Sequence, residues 1–356
     1  MRLDKFLEKG NNNLDIIRLL CALLVIYGHI PVVIDFANLH FDIFKKIVPF
    51  TYCGHIAVLT FFFISGLLVG NSLFTKRSIK DYIISRFFRI YPGLIAVLLL
   101  SVVICKFFSL ADIQSYIGYA WDYVISNLTM HFKSGIESVV FYHRDLSYQS
   151  YYMSFVNGSL WTIPIELMMY ISLLGLFMFC SSVDKFQKIL MTIGLIVGVA
   201  SPYIFDNILI NSARSTNEFS EILLLIPAFC LGSLFALYKE NIKLDWKLPL
   251  GLYLLGFVFQ SHYISWILLT MSVVLFFIYI SSLKWVKKLH LKYDISYGVY
   301  LYGWIVTQIA ASTTAITNYF VFLFLVIAIS LCMGYLSFVI VEKPAMNLKN
   351  KLFYKK

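Results

Sequence analysis

Apolar residues in this chain come in long, nearly unbroken runs separated by short polar stretches. Ten runs approach the roughly 20 apolar residues that a helix needs to cross a bilayer. They lie at about 14–35, 54–74, 90–109, 159–180, 189–206, 220–238, 248–261, 263–282, 295–315 and 320–341, the seventh being the shortest. None alternates as a barrel strand does, and only a helix satisfies its own backbone in lipid without closing a barrel. The pattern predicts an all-α fold, a polytopic membrane bundle of about ten transmembrane helices. No linker or internal repeat separates a second domain, so residues 1–356 are read as one transmembrane domain.

The charges orient the bundle. With the N-terminus in the cytoplasm, the segments expected inside carry 23 Lys and Arg and those expected outside carry 5, with Lys106 near the outer end of the third run. This asymmetry predicts that both termini are cytoplasmic and supports an even number of spans. Composition agrees: 60% of residues are hydrophobic, 13% are charged and mean hydropathy is +0.80, against about 25% charged in a soluble domain. The net charge of +10 therefore belongs to membrane orientation, and no nucleic-acid partner is expected. The six cysteines are scattered singly without metal-type spacing, so neither a disulfide nor a metal site is expected. The mixed charge of the first 13 residues does not resemble a cleavable signal. The largest outer loop, about 110–158, is rich in Tyr and Ser and too short for a separate enzyme domain. Asn127-Leu-Thr and Asn157-Gly-Ser match the weak glycosylation pattern.

Several apolar runs keep polar groups that lipid does not favour. In "IIRLLCALLVIYGHI", Arg18 and His29 are eleven residues apart. That is three turns plus about 20°, so both leave one face, about 16 Å apart along the axis. Asp15 can pair with Arg18. Separately, Arg18 can be a flank that snorkels to the headgroups and His29 a packing residue. In "SRFFRIYP", Arg86 and Arg89 share a face on the cytoplasmic side, where guanidinium groups suit phosphate, or simply flank the third helix. In "NGSLWTIPIELMMY", Glu166 lies one to two turns into a span and must pair, protonate or meet water, and Trp161 fits the aromatic belt. Ser65-Gly66 in "GHIAVLTFFFISGLLVGN" lets another backbone approach. Tyr297, Tyr300 and Tyr302 in "DISYGVYLYGW" give the ninth helix a polar face.

Taken in order, these stretches resemble the acyltransferase 3 family of bacterial membrane acyltransferases, over nearly the whole chain. Arg18 and His29 stand as the family's Arg-x10-His, and "FFFISGLLV" is similar to its FFxxSGFL stretch. "SRFFRIYP" resembles RRxxRIxP with Ser85 in place of an Arg, and "LWTIPIELMMY" resembles W-S/T-L-x-x-E-x-x-Y with Pro164 as a departure. "DISYGVYLYGW" resembles the helix that often reads SYxxYLxH, but Gly303 replaces the His, so no role passes to that position. "VEKPAMNLK" is similar to the family's E-K/R-P-A ending.

The resemblance implies a multi-pass protein of the bacterial inner membrane. Such a protein moves an acyl group, most often acetyl, from cytoplasmic acyl-CoA to a hydroxyl of a cell-surface polysaccharide or its lipid-linked precursor. Acetyl-CoA would be the donor, and membrane lipid and a glycan acceptor the partners. Esterification needs a base for the hydroxyl proton, and an imidazole suits that work near neutral pH. His29 is therefore the expected general base, or else a transient acyl carrier. Arg18 is expected to position the donor or stabilise charge, and Glu166 to orient His29 or the acceptor. Arg86 and Arg89 are the expected CoA-phosphate ligands, and Trp161, Ser65 and Tyr300 the expected acceptor contacts. A glycan or lipid-linked sugar transporter would also need many helices and a polar stripe, but no CoA site. A non-enzymatic assembly partner would tolerate loss of His29.

Overall fold

The computed structural model describes residues 1–8, 10–34, 42–48, 51–142, 151–180, 185–208, 217–259, 262–289 and 291–354. Among the described residues the regular structure is helical, with two isolated bridges and no strand. The principal helices are α1 (Leu14–Val33), α2 (Cys53–Lys76), α3 (Ile79–Cys105), α4 (Ile113–Leu128), α5 (Thr162–Phe179) and α6 (Lys185–Ile208). They continue as α7 (Asn217–Leu237), α8 (Lys247–Gly256), α9 (His262–Ser281), α10 (Ser296–Thr313), α11 (Tyr319–Ser337) and α12 (Lys343–Phe353). A π-helical turn, Phe338–Glu342, joins the last two.

Each of the ten apolar runs falls on one of these helices. Six of them, with their flanking turns, are long and apolar enough to cross a membrane: Leu14–Val33, Cys53–Lys76, Ile79–Phe108, Gly158–Phe179, Tyr263–Ser281 and Tyr319–Phe353. This is an all-helical, multi-pass membrane protein. The seventh run yields only the ten residues of α8, about 15 Å of helix, half of a hydrocarbon core. The expected segments 36–53, 110–158, 181–188 and 207–219 lie partly outside the described residues.

Two features depart from the expected boundaries. The third helix begins at Ile79, eleven residues before its apolar run, so Arg86 and Arg89 ride on α3 itself. A polar face does not end a helix, and hydropathy reads only the part that lies in lipid. The segment expected as the large outer loop contains α4, whose N-cap Asp112 accepts from the backbone N–H of Gln114 at 2.9 Å and Ser115 at 3.1 Å. Asn127 and Asn157 are 5% and 0% exposed, and their side-chain amides are spent on backbone carbonyls. Neither presents a glycosylation acceptor.

The chain divides into two compact units built from interleaved segments. The first comprises Met1–Cys21, Ile43–Ile79 and Ile165–Leu291, and α2 packs along α7 within it. Their backbones come so close that a Cβ on Gly66 would lie 2.1 Å from the Phe229 carbonyl oxygen, and one on Gly232 would lie 2.2 Å from that of Phe63. Only a hydrogen fits at either place, which is the small-residue route to membrane helix packing. The close approach expected of Ser65-Gly66 is therefore real.

The second unit comprises Ala22–Asp42, Lys80–Pro164 and Lys292–Lys356. Here α10 packs along α11, and its N-terminal end is fastened to α3. Arg89 forms an ion pair with Asp294 at 2.9 Å, and Tyr297 donates from its hydroxyl to the Ile90 carbonyl, also at 2.9 Å.

Candidate active site

The boundary between the units falls within α1 and within α5. Arg18 and Glu166 belong to the first unit, and His29, Arg86, Arg89, Trp161 and Tyr300 to the second.

In the second unit, His29 is half-buried on α1 and meets the edge of Trp304 from α10. The ring centroids are 4.8 Å apart and the planes cross at 73°, the edge-to-face arrangement that aromatic rings prefer. Gly303 makes room for this. A Cβ there would lie 2.5 Å from Ile26, one turn before His29 on α1. Here the Ile26 side chain of α1 occupies the space that a side chain at 303 would need.

Trp304 is itself held. Its indole N–H donates to the Phe155 carbonyl at 3.3 Å, and Gln308, one turn on, donates to the carbonyls of Tyr152 at 2.6 Å and Phe155 at 3.0 Å. The Asn157 amide donates to the Leu301 carbonyl at 2.8 Å, and its side-chain oxygen accepts from the Ser159 N–H at 3.1 Å. Tyr300 donates from its hydroxyl to the Ser159 carbonyl at 2.9 Å and shares a 2.7 Å hydrogen bond with the Thr162 hydroxyl. One face of α10 thus grips the irregular segment 152–162 through side chains. These bonds satisfy backbone carbonyls of a segment built from short 3-10 turns. Trp161, half-buried, sits in the last turn of that segment. Tyr300 is a clamp on it, buried at 9% exposure, rather than an open surface group.

Arg86 and Arg89 lie half-buried on α3. The Arg89 guanidinium is 5.5 Å from the centre of the Tyr297 ring as well as paired with Asp294. Asp294 also accepts from the Ser296 hydroxyl at 2.6 Å. Nearby in sequence to α11, Glu342 is 4% exposed and accepts from the Ser337 hydroxyl at 3.4 Å. A phosphate at Arg89 would compete with Asp294 for the guanidinium.

In the first unit, the Ser65 hydroxyl donates to Glu166 at 3.0 Å and lies 2.6 Å from the Tyr170 hydroxyl, which also donates to Glu166. The carboxylate expected to need a partner has two, contributed by α2 and α5. Arg18 lies 3.5 Å from Asp15, the pairing expected one turn earlier on α1.

Trp304, Gln308, Asn157 and Asp294 were not among the expected site residues. All but Gln308 lie within quoted motifs, but their partners are more than a hundred residues away in sequence. Among the described residues, no group of three or more His, Cys, Asp or Glu is placed to hold a metal ion.

The family model described as an acyltransferase domain, acyltransferase 3, matches residues 11–339. The chain belongs to that family. This acyltransferase is 26% identical to a protein named O-acetyl transferase from Shigella phage Sf6, over 94% of this chain and 95% of that one. It is 23% identical to nodulation protein 10 of Rhizobium leguminosarum bv. viciae, over 96% and 95% of the two chains. No solved structure matches it. Family membership makes the chain a membrane acyltransferase, and chemistry rather than transport is what its polar groups must explain.

Proposed function

We propose that this acyltransferase moves an acetyl group from cytoplasmic acetyl-CoA to a hydroxyl of a cell-surface polysaccharide or its lipid-linked precursor. It does so as a ten-span protein of the bacterial inner membrane with both termini in the cytoplasm. The observation that carries the reading is the held, half-buried imidazole of His29 against Trp304, on the Arg-x10-His stretch of a chain matched by the family model. The phage relative named O-acetyl transferase favours oxygen as the acceptor atom and acetyl as the group.

His29 takes the acceptor's hydroxyl proton as the oxygen attacks the thioester carbonyl. The carbon–sulfur bond breaks, and the proton passes to the CoA thiolate. A general base of this kind contributes about 10²–10⁴ in rate. Arg86 binds donor phosphate, with Arg89 beside it held in place by Asp294. Arg18, at the charged end of α1, positions the donor or offsets its charge. Glu166 acts on the acceptor side through Ser65 and Tyr170, and Trp161 offers that side an aromatic face.

The test uses inside-out membrane vesicles carrying the protein, with radiolabelled acetyl-CoA added outside. Wild type should place label in vesicle glycan, and His29→Ala should place none while remaining folded. Label in neither, across a range of glycan acceptors, would overturn the proposal.

A further inference from the structure

Segment 152–162 carries a hydroxyl that the fold leaves unspent. Ser159, in the short turn Gly158–Trp161, is 1% exposed. Its backbone is held by three bonds. The N–H donates to the Asn157 side-chain oxygen at 3.1 Å, and the carbonyl accepts from the Tyr300 hydroxyl at 2.9 Å and the Thr162 hydroxyl at 3.4 Å. The Ser159 hydroxyl is buried too, yet it meets no hydrogen-bond partner among the described residues. A buried donor without a partner is costly, and native structures seldom keep one. The three backbone bonds prevent the turn from shifting to relieve it.

This hydroxyl stands beside the expected base. Gly158 lies so close to Trp304 that a Cβ there would be 2.7 Å from the indole, and His29 meets the same indole with ring centroids 4.8 Å apart. Ser159 is the next residue along the chain from that contact, and all four belong to the second unit. The other side chains that join the segment to α10 already donate elsewhere. Asn157 donates to Leu301, Trp304 to Phe155, Gln308 to Tyr152 and Phe155, and both Tyr300 and Thr162 to the Ser159 carbonyl. Ser159 is thus the member of this set with its O–H uncommitted.

A base at His29 accounts for the acceptor's proton but not for the charge that builds on the thioester oxygen. We infer that the Ser159 hydroxyl donates to the acetyl carbonyl oxygen of the donor and stabilises that charge, which makes it a further catalytic residue. The acceptor oxygen bonds to the carbonyl carbon, His29 takes its proton, and the carbonyl π pair moves onto the oxygen held by Ser159. When the pair returns, the carbon–sulfur bond breaks and the CoA thiolate takes the proton from His29. Ser159 keeps its own proton throughout. A serine that attacked the thioester itself would need a base hydrogen-bonded to its hydroxyl, and Ser159 has none. A fixed donor sheltered from water is the arrangement that stabilises an oxyanion. This rests on the reading that the protein transfers an acetyl group through His29.

The test runs the vesicle assay with acetyl-CoA and with its dithioester analogue, in which sulfur replaces the carbonyl oxygen. With acetyl-CoA, Ser159→Ala should lower kcat about 10²-fold and change KM little. Its melting temperature should not fall, because no bond is lost. Ser159→Cys, whose thiol is a weak donor, should fall between. With the dithioester, whose sulfur accepts hydrogen bonds poorly, Ser159→Ala should cost far less. Equal losses with the two donors, or a lower melting temperature, would give Ser159 a packing role and overturn the assignment. Acetyl recovered on residue 159 by mass spectrometry after quenching would also overturn it, in favour of a covalent carrier. Wild-type turnover in Ser159→Ala would overturn it while leaving the acyltransfer reading standing. No transfer by wild type would overturn that reading and this assignment together.

Discussion

The two units handle polar groups inside a membrane protein in different ways. In the first, Ser65, Glu166 and Tyr170 satisfy one another across α2 and α5. In the second, Asn157, Tyr300, Trp304 and Gln308 each donate to a main-chain carbonyl, and the His29 ring on α1 packs against Trp304 of α10. A closed cluster of side chains ties helices together whether or not substrate is present. The His29 ring is instead packed against another ring, that of Trp304. The difference sets a carboxylate joined to hydroxyls against an imidazole packed on an indole, and substitutions can compare the two.

The sharpest break of this comparison is His29→Ala. Transfer of label from acetyl-CoA should fall about 10²–10⁴-fold, with the detergent-extracted protein still eluting as a single folded species. Normal turnover would remove His29 from the chemistry. The matching change in the first unit is Glu166→Gln, which keeps the shape and removes the charge that two hydroxyls address. Hydrogen bonds to charged groups contribute about 1.5–3 kcal/mol, so transfer should fall about tenfold and the melting temperature should drop. A loss as deep as that of His29→Ala, without a change in melting, would give Glu166 a direct part in the proton transfer rather than in holding the acceptor side.

A finer cut lies within the second unit. An edge-to-face pair is worth about 0.5–1.5 kcal/mol beyond burial. Trp304→Leu should therefore lower kcat several-fold while changing KM for acetyl-CoA little, and Trp304→Phe should recover most of the loss. Equal effects of Leu and Phe would mean that Trp304 only fills space.

Much of this was legible in the chain. Each of the ten apolar runs marks a helix, and among the described residues six of those helices are long and apolar enough to cross a membrane. Arg18 with Asp15, and the close approach at Gly66, are local enough to read from spacing. What stayed hidden is non-local. His29 and Trp304 are 275 residues apart, and no periodicity links a ring on one helix to a ring on another. The pairing of Arg89 with Asp294, 205 residues on, is equally invisible in the spacing of the two motifs. The α4 helix shows no continuous apolar run because its residues are mixed in polarity, although Asp112 with Gln114 and Ser115 behind it is a visible cap.

That cap supplies the smallest prediction and a control on the others. The Asp112 carboxyl is held below the usual carboxylate range, first by the Ser115 hydroxyl and then by the backbone N–H of Ser115, with a smaller part from Gln114. A carboxylate whose folded pKa is depressed stabilises the fold above its unfolded pKa and loses that contribution as pH falls towards the folded value. Acidification through the carboxylate range should therefore fray the start of α4, seen as faster amide exchange at residues 113–116. Asp112→Ala should produce the same fraying already at neutral pH and remove its pH dependence. Transfer by Asp112→Ala should stay at the wild-type level, because α10 grips segment 152–162 without using α4. If transfer fell together with α4 protection, the outer region would act as one piece, and positioning around His29 would extend well beyond Trp304.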